Sequence, residues 1–227
     1  MKLPEDGTLL LVDKPTDWTS FDVVNKLRYT LKVKKIGHAG TLDPLATGLL
    51  LIGVGKKYTR QLADLQGLDK SYSGIIEIGK STPSYDLETS FENETDITGV
   101  TQDFVEQIRK KFQGWMDQFP PAHSAIKIKG RRAYSMARNN ETVEIESRKI
   151  CIHQLSFDKV DLPEIHFNVS VSKGTYIRSL AHDIGKELGV GAYLKSLRRE
   201  TVGTYNVKDA WQLDDLLNAI KEGNEDH

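Results

Sequence analysis

From Ile165 to Val171 apolar and polar residues alternate without a break, with Ile165, Phe167, Val169 and Val171 set against His166, Asn168 and Ser170. Successive side chains of a strand point to opposite faces, so this period of two predicts a strand with one face in a core and a polar face of unassigned purpose. Tyr72, Gly74, Ile76 and Ile78 repeat the pattern. The short apolar runs Thr8–Val12 and Leu49–Val54 read as buried strands, and Val143–Ile152 as a further strand. Between them lie stretches of helical spacing. Phe21, Val24, Leu27 and Leu31 form one stripe behind a cap at Thr19 or Ser20. Phe104, Val105, Ile108 and Phe112 follow Thr101 and stop at Gly114, and Leu180, Ile184 and Leu188 follow a cap at Ser179 and stop at Gly189. Leu213, Leu216, Leu217 and Ile220 make a last helix. Strands and helices interleave without a regular βαβ rhythm, and no linker or repeat divides the chain. The expected fold is therefore α+β, a mixed and largely antiparallel sheet flanked by helices, in one domain over residues 1–227.

A chain of 227 residues can bury a core without covalent staples. Its one cysteine, Cys151, rules out an intramolecular disulfide and a cysteine-built metal cage. The N-terminus is polar and acidic and the apolar runs are too short to span a bilayer, so the expected location is cytoplasmic, with no membrane partner. The net charge of −1 hides a segregation of signs. Lys26, Arg28, Lys32, Lys34 and Lys35 lie in one stretch without an acid, and Lys127, Lys129, Arg131, Arg132 and Arg138 in another. Acidic segments at Ser84–Asp96 and from Leu213 onward cancel them. On one face, two such basic stretches would suit a phosphate backbone; otherwise they are ordinary solvated surface.

Two loops carry residues suited to chemistry. Gly37-His38-Ala39-Gly40-Thr41-Leu42-Asp43-Pro44-Leu45-Ala46-Thr47-Gly48 sets a lone carboxylate among glycines that allow close approach of the backbone to a ligand. Ser172-Lys173-Gly174-Thr175-Tyr176-Ile177-Arg178 sets an aromatic two residues from an arginine. Such an arginine beside Asp43 would hold the carboxylate ionised and aim it, as a nucleophile requires.

With Leu11-Val12-Asp13-Lys14-Pro15, these loops resemble the TruB-type pseudouridine synthases, which modify the uridine at position 55 of bacterial tRNA. The resemblance extends through Lys70-Ser71-Tyr72 with Gly79 and Asp86, Pro120-Pro121 with Ser124-Ala125-Ile126-Lys127 and Gly130, and Gly191-Ala192-Tyr193-Leu194 with Leu197-Arg198-Arg199. It implies that Asp43 is the essential aspartate, that Tyr72 stacks on the flipped uracil near the C5 proton, and that Arg178 partners the aspartate. It implies further that Tyr176 and Leu197 line the uridine pocket, that His38 packs against nucleotides rearranged on flipping, and that Lys14 and Pro15 support the site. No cofactor and no metal are implied. The implied partner is the T arm of tRNA, bound by a monomer that needs no other protein. Extrusion of the target uridine fits this inventory, since aromatic and apolar walls receive a flipped base.

Asp86, in its acidic loop, reads as structural. The chain ends soon after its last predicted helix, where many relatives continue into an RNA-binding PUA domain, so that domain is expected to be absent. His123 stands where relatives often carry tyrosine, and Glu200 where threonine is common. A non-catalytic tRNA-binding or folding module on the same fold would need neither a nucleophile nor its charge partner. A retaining glycosidase would need a second carboxylate flanking the bond, and no matching motif offers one.

Overall fold

The computed structural model describes residues 4, 6–124, 126–128, 130–139 and 145–225. In chain order the elements are β1 (Thr8–Lys14), α1 (Ser20–Leu31), β2 (Ile36–Ala39), β3 (Thr47–Val54), α2 (Gly55–Gln66), β4 (Lys70–Ile78), β5 (Lys80–Ser81) and β6 (Asn93–Glu94). They continue with α3 (Gln102–Lys111), β7 (Gly114–Gln118), β8 (Lys127–Ile128), β9 (Arg131–Arg132), α4 (Ala133–Arg138), β10 (Arg148–Asp161) and β11 (Glu164–Val171). Last come α5 (Ile177–Leu188), β12 (Ala192–Val202), β13 (Tyr205–Asn206), β14 (Trp211–Gln212) and α6 (Leu213–Glu225). The chain forms two compact units, one of residues 1–72 with 197–227 and the other of residues 73–196; β4 and β12 each pass from one unit to the other along their length.

In the first unit, β1 pairs antiparallel with β3 and parallel with β14, β2 pairs antiparallel with β3, and the end of β12 pairs parallel with β3 through Arg198↔Thr47 and Arg199↔Gly48. The unbroken apolar run of β3 follows from burial on both faces. Leu50 and Ile52 join Val23, Val24 and Leu27 of α1 and Leu213, Leu216, Leu217 and Ile220 of α6. Leu49 and Leu51 face the opposite way, into a second cluster with Ala39, Val202 and Leu62 of α2. Gly48 is required where β3 meets β12: its φ is +100°, and a Cβ there would lie 2.3 Å from the carbonyl oxygen of Arg199.

In the second unit, β10 pairs antiparallel with β11 and with β7. Ile165, Phe167, Val169 and Val171 of β11 are buried, as the alternation predicts, together with Val105 and Ile108 of α3 and Leu180, Ile184 and Leu188 of α5. The polar face of β11 carries surface pairs, Asn168 with Asp158 and His166 with Glu164, which accounts for it without a functional role.

Both units are mixed or antiparallel β-structure with helices packed on it, which makes the fold α+β. Thr19 caps α1 in a full capping box with Asp22, and Gly189 closes α5 in the left-handed conformation, as expected. Other expectations are corrected. Phe21 is 59% exposed and outside the α1 stripe. Ser179 lies inside α5, where its hydroxyl donates to the carbonyl of Phe119, and Tyr176 takes the N-cap position without a side-chain bond. Helix α3 ends at Lys111 with Phe112 as its C-cap, and Gly114, at φ +100°, begins β7 instead of capping. Residues 37–39 of the Gly-rich loop belong to β2. The strand expected from Val143 starts at Arg148, with 143–144 outside the described residues.

Of the two basic stretches, Lys26, Lys32, Lys34 and Lys35 are exposed on and after α1. In the second, Lys129 and the side chains of Lys127, Arg132 and Arg138 lie outside what is described. Among the described residues no helix is long and apolar enough to cross a membrane.

Candidate active site

In the first unit the candidate residues gather around Asp43. The loop from Gly40 to Leu49 is pinned at almost every step. Ser20, the first residue of α1, donates its hydroxyl to the carbonyl of Leu42 at 3.1 Å and accepts the Leu42 N–H at 2.9 Å, which fixes the residue before Asp43. On the other side, the Pro44 carbonyl accepts from the Lys14 ammonium at 3.2 Å and from the Asp17 N–H at 2.9 Å. The Asp43 carbonyl itself accepts from the Ala46 N–H at 3.1 Å, closing a turn. Asp43 is half-buried on this fixed backbone.

Three cations are buried around the loop. Lys14 is fully inaccessible, and its ammonium also donates to the carbonyls of Pro15 at 2.8 Å and Trp18 at 2.6 Å. Burial lowers its pKa to about 8, and the attraction of Asp43 is the largest effect in the other direction. Lys70, 8% exposed, donates to the carbonyls of Gln66 and Leu68 and is likewise lowered to about 8, by burial and then by the charge of Arg199. Arg199 is 1% exposed on β12; its Nε donates to the Leu49 carbonyl at 2.7 Å and its Nη2 to the Gly40 carbonyl at 3.0 Å.

Tyr72, 8% exposed on β4, has its hydroxyl beside the Arg199 guanidinium and interacts with it. Burial raises its phenol pKa, Arg199 opposes by charge and hydrogen bond, and the Asp43 charge adds to the rise. His38 on β2 is half-buried, with the Gly40 backbone beside its ring. Burial, and then the Arg199 charge, hold its imidazole below the usual histidine range, so it is neutral at pH 7. Leu197 is half-buried two residues before Arg199, on the same face of β12. The residue between them turns away: Arg198 makes a two-pronged pair with Asp13 at 3.0 and 2.7 Å, supported by Gln212.

The second unit carries Tyr176 and Arg178 at the start of α5. Arg178 is 4% exposed and donates to the carbonyls of Ser84 at 3.1 Å and His123 at 3.0 Å, with the Asp86 carboxylate 3.5 Å away. Asp86, 6% exposed, is held in turn: its carboxylate accepts the Glu88 N–H, and its carbonyl accepts from the hydroxyls of Thr82 and Ser84. The structural reading of Asp86 thus holds, and His123 serves through a backbone carbonyl that tyrosine would supply equally. Tyr176 is clamped by the side-chain amide of Gln118, which accepts its N–H at 2.8 Å and donates to its carbonyl at 3.0 Å. The guanidinium of Arg148 lies over its ring, 4.4 Å from the centroid.

Lys14, His38, Asp43, Tyr72 and Leu197 therefore belong to one unit and Tyr176 and Arg178 to the other. Sequence reasoning missed the structural duties of Ser20, Gln118 and Arg148, and it noted Arg199 only as part of a motif. No local signal marks Ser20 or Gln118, since their partners lie 22 and 58 residues away.

Comparison with known proteins assigns this arrangement to a class. Residues 28–177 match the N-terminal domain of the TruB family pseudouridylate synthases, and residues 178–227 match the tRNA pseudouridylate synthase B C-terminal domain. The chain belongs to the TruB family. A protein of Flavobacterium johnsoniae named tRNA pseudouridine synthase B is 50% identical over 90% of this chain and 92% of its own length. Another of that name from Chlorobaculum tepidum is 44% identical over 96% and 92%. Among solved structures, a Cbf5–Nop10–Gar1 complex contains a chain 30% identical with a TM-score of 0.76, and an H/ACA RNP bound to a substrate RNA contains one 27% identical with a TM-score of 0.73. The present chain spans 56% and 55% of those two chains.

Proposed function

We propose that this protein converts the uridine at position 55 in the T loop of tRNA to pseudouridine, by base flipping and with Asp43 as nucleophile. The observation that carries the reading is the pinned Asp43 loop, in which the residues on either side of the aspartate are hydrogen-bonded and a buried ammonium backs the turn. A loop that only turned the chain would have no need of such fixation, whereas a nucleophile must be held in attacking geometry. Names and extents of the relatives support tRNA as substrate: proteins called tRNA pseudouridine synthase B match at 44–50% identity over nine-tenths of their length, against 27–30% for chains from H/ACA assemblies.

In this reading Asp43 attacks as the glycosidic bond breaks, and the base turns and rejoins through C5. Arg178 partners the aspartate, and its own fixation by two carbonyls and Asp86 gives it one position from which to do so. Tyr72 stacks on the flipped uracil near the C5 proton, a contact of a kind worth about 1–3 kcal/mol per base against the cost of unstacking. Tyr176 and Leu197 wall the pocket, His38 meets the rearranged nucleotides as a neutral ring, and Lys14 supports the loop. The exposed lysines on and after α1 orient the arm through phosphates. The enzyme works as a cytoplasmic monomer of one catalytic domain, without cofactor, metal or protein partner.

Tritium release from C5-labelled uridine in an unmodified tRNA transcript tests this. Release by the wild type that disappears with Asp43→Asn, and with cytidine at the target position, is the expected result. Tight tRNA binding without release would leave a binding module in its place.

A further inference from the structure

Arg199 presents an unusual expenditure of charge. Among the described residues it is the largest side chain buried to within 2% exposure, and no carboxylate forms an ion pair with it. A guanidinium without a counter-charge is costly to bury, and a scaffold could be built more cheaply from apolar residues. Its contacts say what the charge is used on. Nε and Nη2 hold the two ends of the Asp43 loop, at Leu49 and Gly40, and the remaining interaction is with the phenolic oxygen of Tyr72. One planar fork thus ties together the loop that bears Asp43 and the hydroxyl of the residue assigned to stack on the base.

We propose that Arg199 is a positioning residue for loss of the uracil C5 proton, acting through the Tyr72 oxygen. The inference rests on the function proposed above. After the base has rejoined through C5, that carbon carries both the ribose and its hydrogen, and N1 is doubly bonded to C6. The C5–H bond breaks and its proton passes to the Tyr72 oxygen, which enters the step as phenolate and leaves as phenol. The C–H electron pair forms C5=C6, and the C6=N1 pair moves to N1, which takes a proton from water. The phenol then returns its proton to solvent. The guanidinium donates to the oxygen throughout, so the lone pair that takes the proton has a fixed direction and the charge on the phenolate is met. In the resting protein, burial raises the phenol pKa and Arg199 is the chief influence drawing it down.

The test is a set of single-turnover rates on tRNA transcripts carrying protium or deuterium at C5 of the target uridine, for wild type, Arg199→Lys, Tyr72→Phe and the double variant. Lysine keeps the charge and loses the fork. Arg199→Lys is expected to slow the reaction by about tenfold or more with tRNA affinity nearly unchanged. It should also expose a primary C5 isotope effect that the wild type hides. Tyr72→Phe should show the same isotope effect, and the double variant should be no slower than Tyr72→Phe. A slow Arg199→Lys enzyme without an isotope effect, or a double variant that multiplies the two losses, overturns the proposal. If Arg199→Lys does not fold, Tyr72→Phe decides alone: absence of a C5 isotope effect there overturns it too. A wild type inactive on tRNA would instead remove the proposed function, and this inference with it.

Discussion

Among the described residues two arginines lie buried, one in each unit, and they meet the cost of burial in different ways. Arg178 has a carboxylate, Asp86, within 3.5 Å and two carbonyls besides. Arg199 has two carbonyls and a phenol. In the first, charge meets charge, so breaking that pair should be felt in stability. The second leaves a positive charge that is partly unspent, and that charge reaches Lys14, Lys70, His38 and Tyr72. Its loss should be felt more in chemistry. The contrast separates an arginine that is neutralised from one that sets the electrostatics around it.

The largest expected effect comes from breaking the neutralised pair. Asp86→Asn removes a buried carboxylate from beside the Arg178 charge and should cost about 3–5 kcal/mol in urea unfolding. Arg199→Met leaves only the Gly40 and Leu49 carbonyls and the phenol unsatisfied. Unfolding free energies of the two variants, set beside their turnover, should rank them in opposite orders; the same order in both would break the distinction.

Next comes the pinned loop. Ser20→Ala strands the buried N–H and carbonyl of Leu42 and should destabilise the protein by about 1–3 kcal/mol while lowering turnover and sparing tRNA affinity. Unchanged turnover would show that the loop needs no such anchor.

Titration gives a smaller signal with a definite sign. Lys14 and Lys70 titrate near 8 in the folded protein against an ordinary 10.5, so above pH 8 the unfolded chain holds more protons than the folded one. Stability contributed by these groups therefore rises with pH from about 8 toward 10.5. Urea unfolding between pH 8 and about 9.5, below the ordinary tyrosine range, should show a less positive slope in Lys70→Met than in the wild type. An equal slope would mean that Lys70 does not feel its burial.

The smallest effect is a control. Thr19→Ala removes the N-cap of α1 and should cost about 1 kcal/mol without changing the rate of the chemical step.

What could be read beforehand follows the range of the interactions. The cap at Thr19, the stripe of Val24 and Leu27, and the alternation of β11 are set by neighbours within four residues, and they stood out in the sequence. Helix α2 did not, because none of its residues is buried and its apolar face is only Leu62 and Leu65 packed beneath β2 and β3. Strand β12 was hidden by its charges. Arg198 and Arg199 entered only within a stretch of family resemblance and Lys195 not at all, because their partners are distant: Glu77 and Glu164 for Lys195, Asp13 for Arg198, backbone carbonyls for Arg199. Asp43 and Arg178 stood out by residue type in their loops, but their roles, and Tyr72 altogether, were named through family resemblance. The same is true of Tyr176, whose support by Gln118 no spacing reveals.

The central claim is that Asp43 is a nucleophile held in one position by its loop. The most direct measurement is the single-turnover rate of Asp43→Glu on unmodified tRNA, since glutamate keeps the carboxylate and moves it by one methylene. A rigid loop cannot retreat to compensate, and the expected result is a loss of about a hundredfold or more with tRNA binding intact. A rate within a few-fold of the wild type would mean that the carboxylate finds its place without being held there, and would contradict the account.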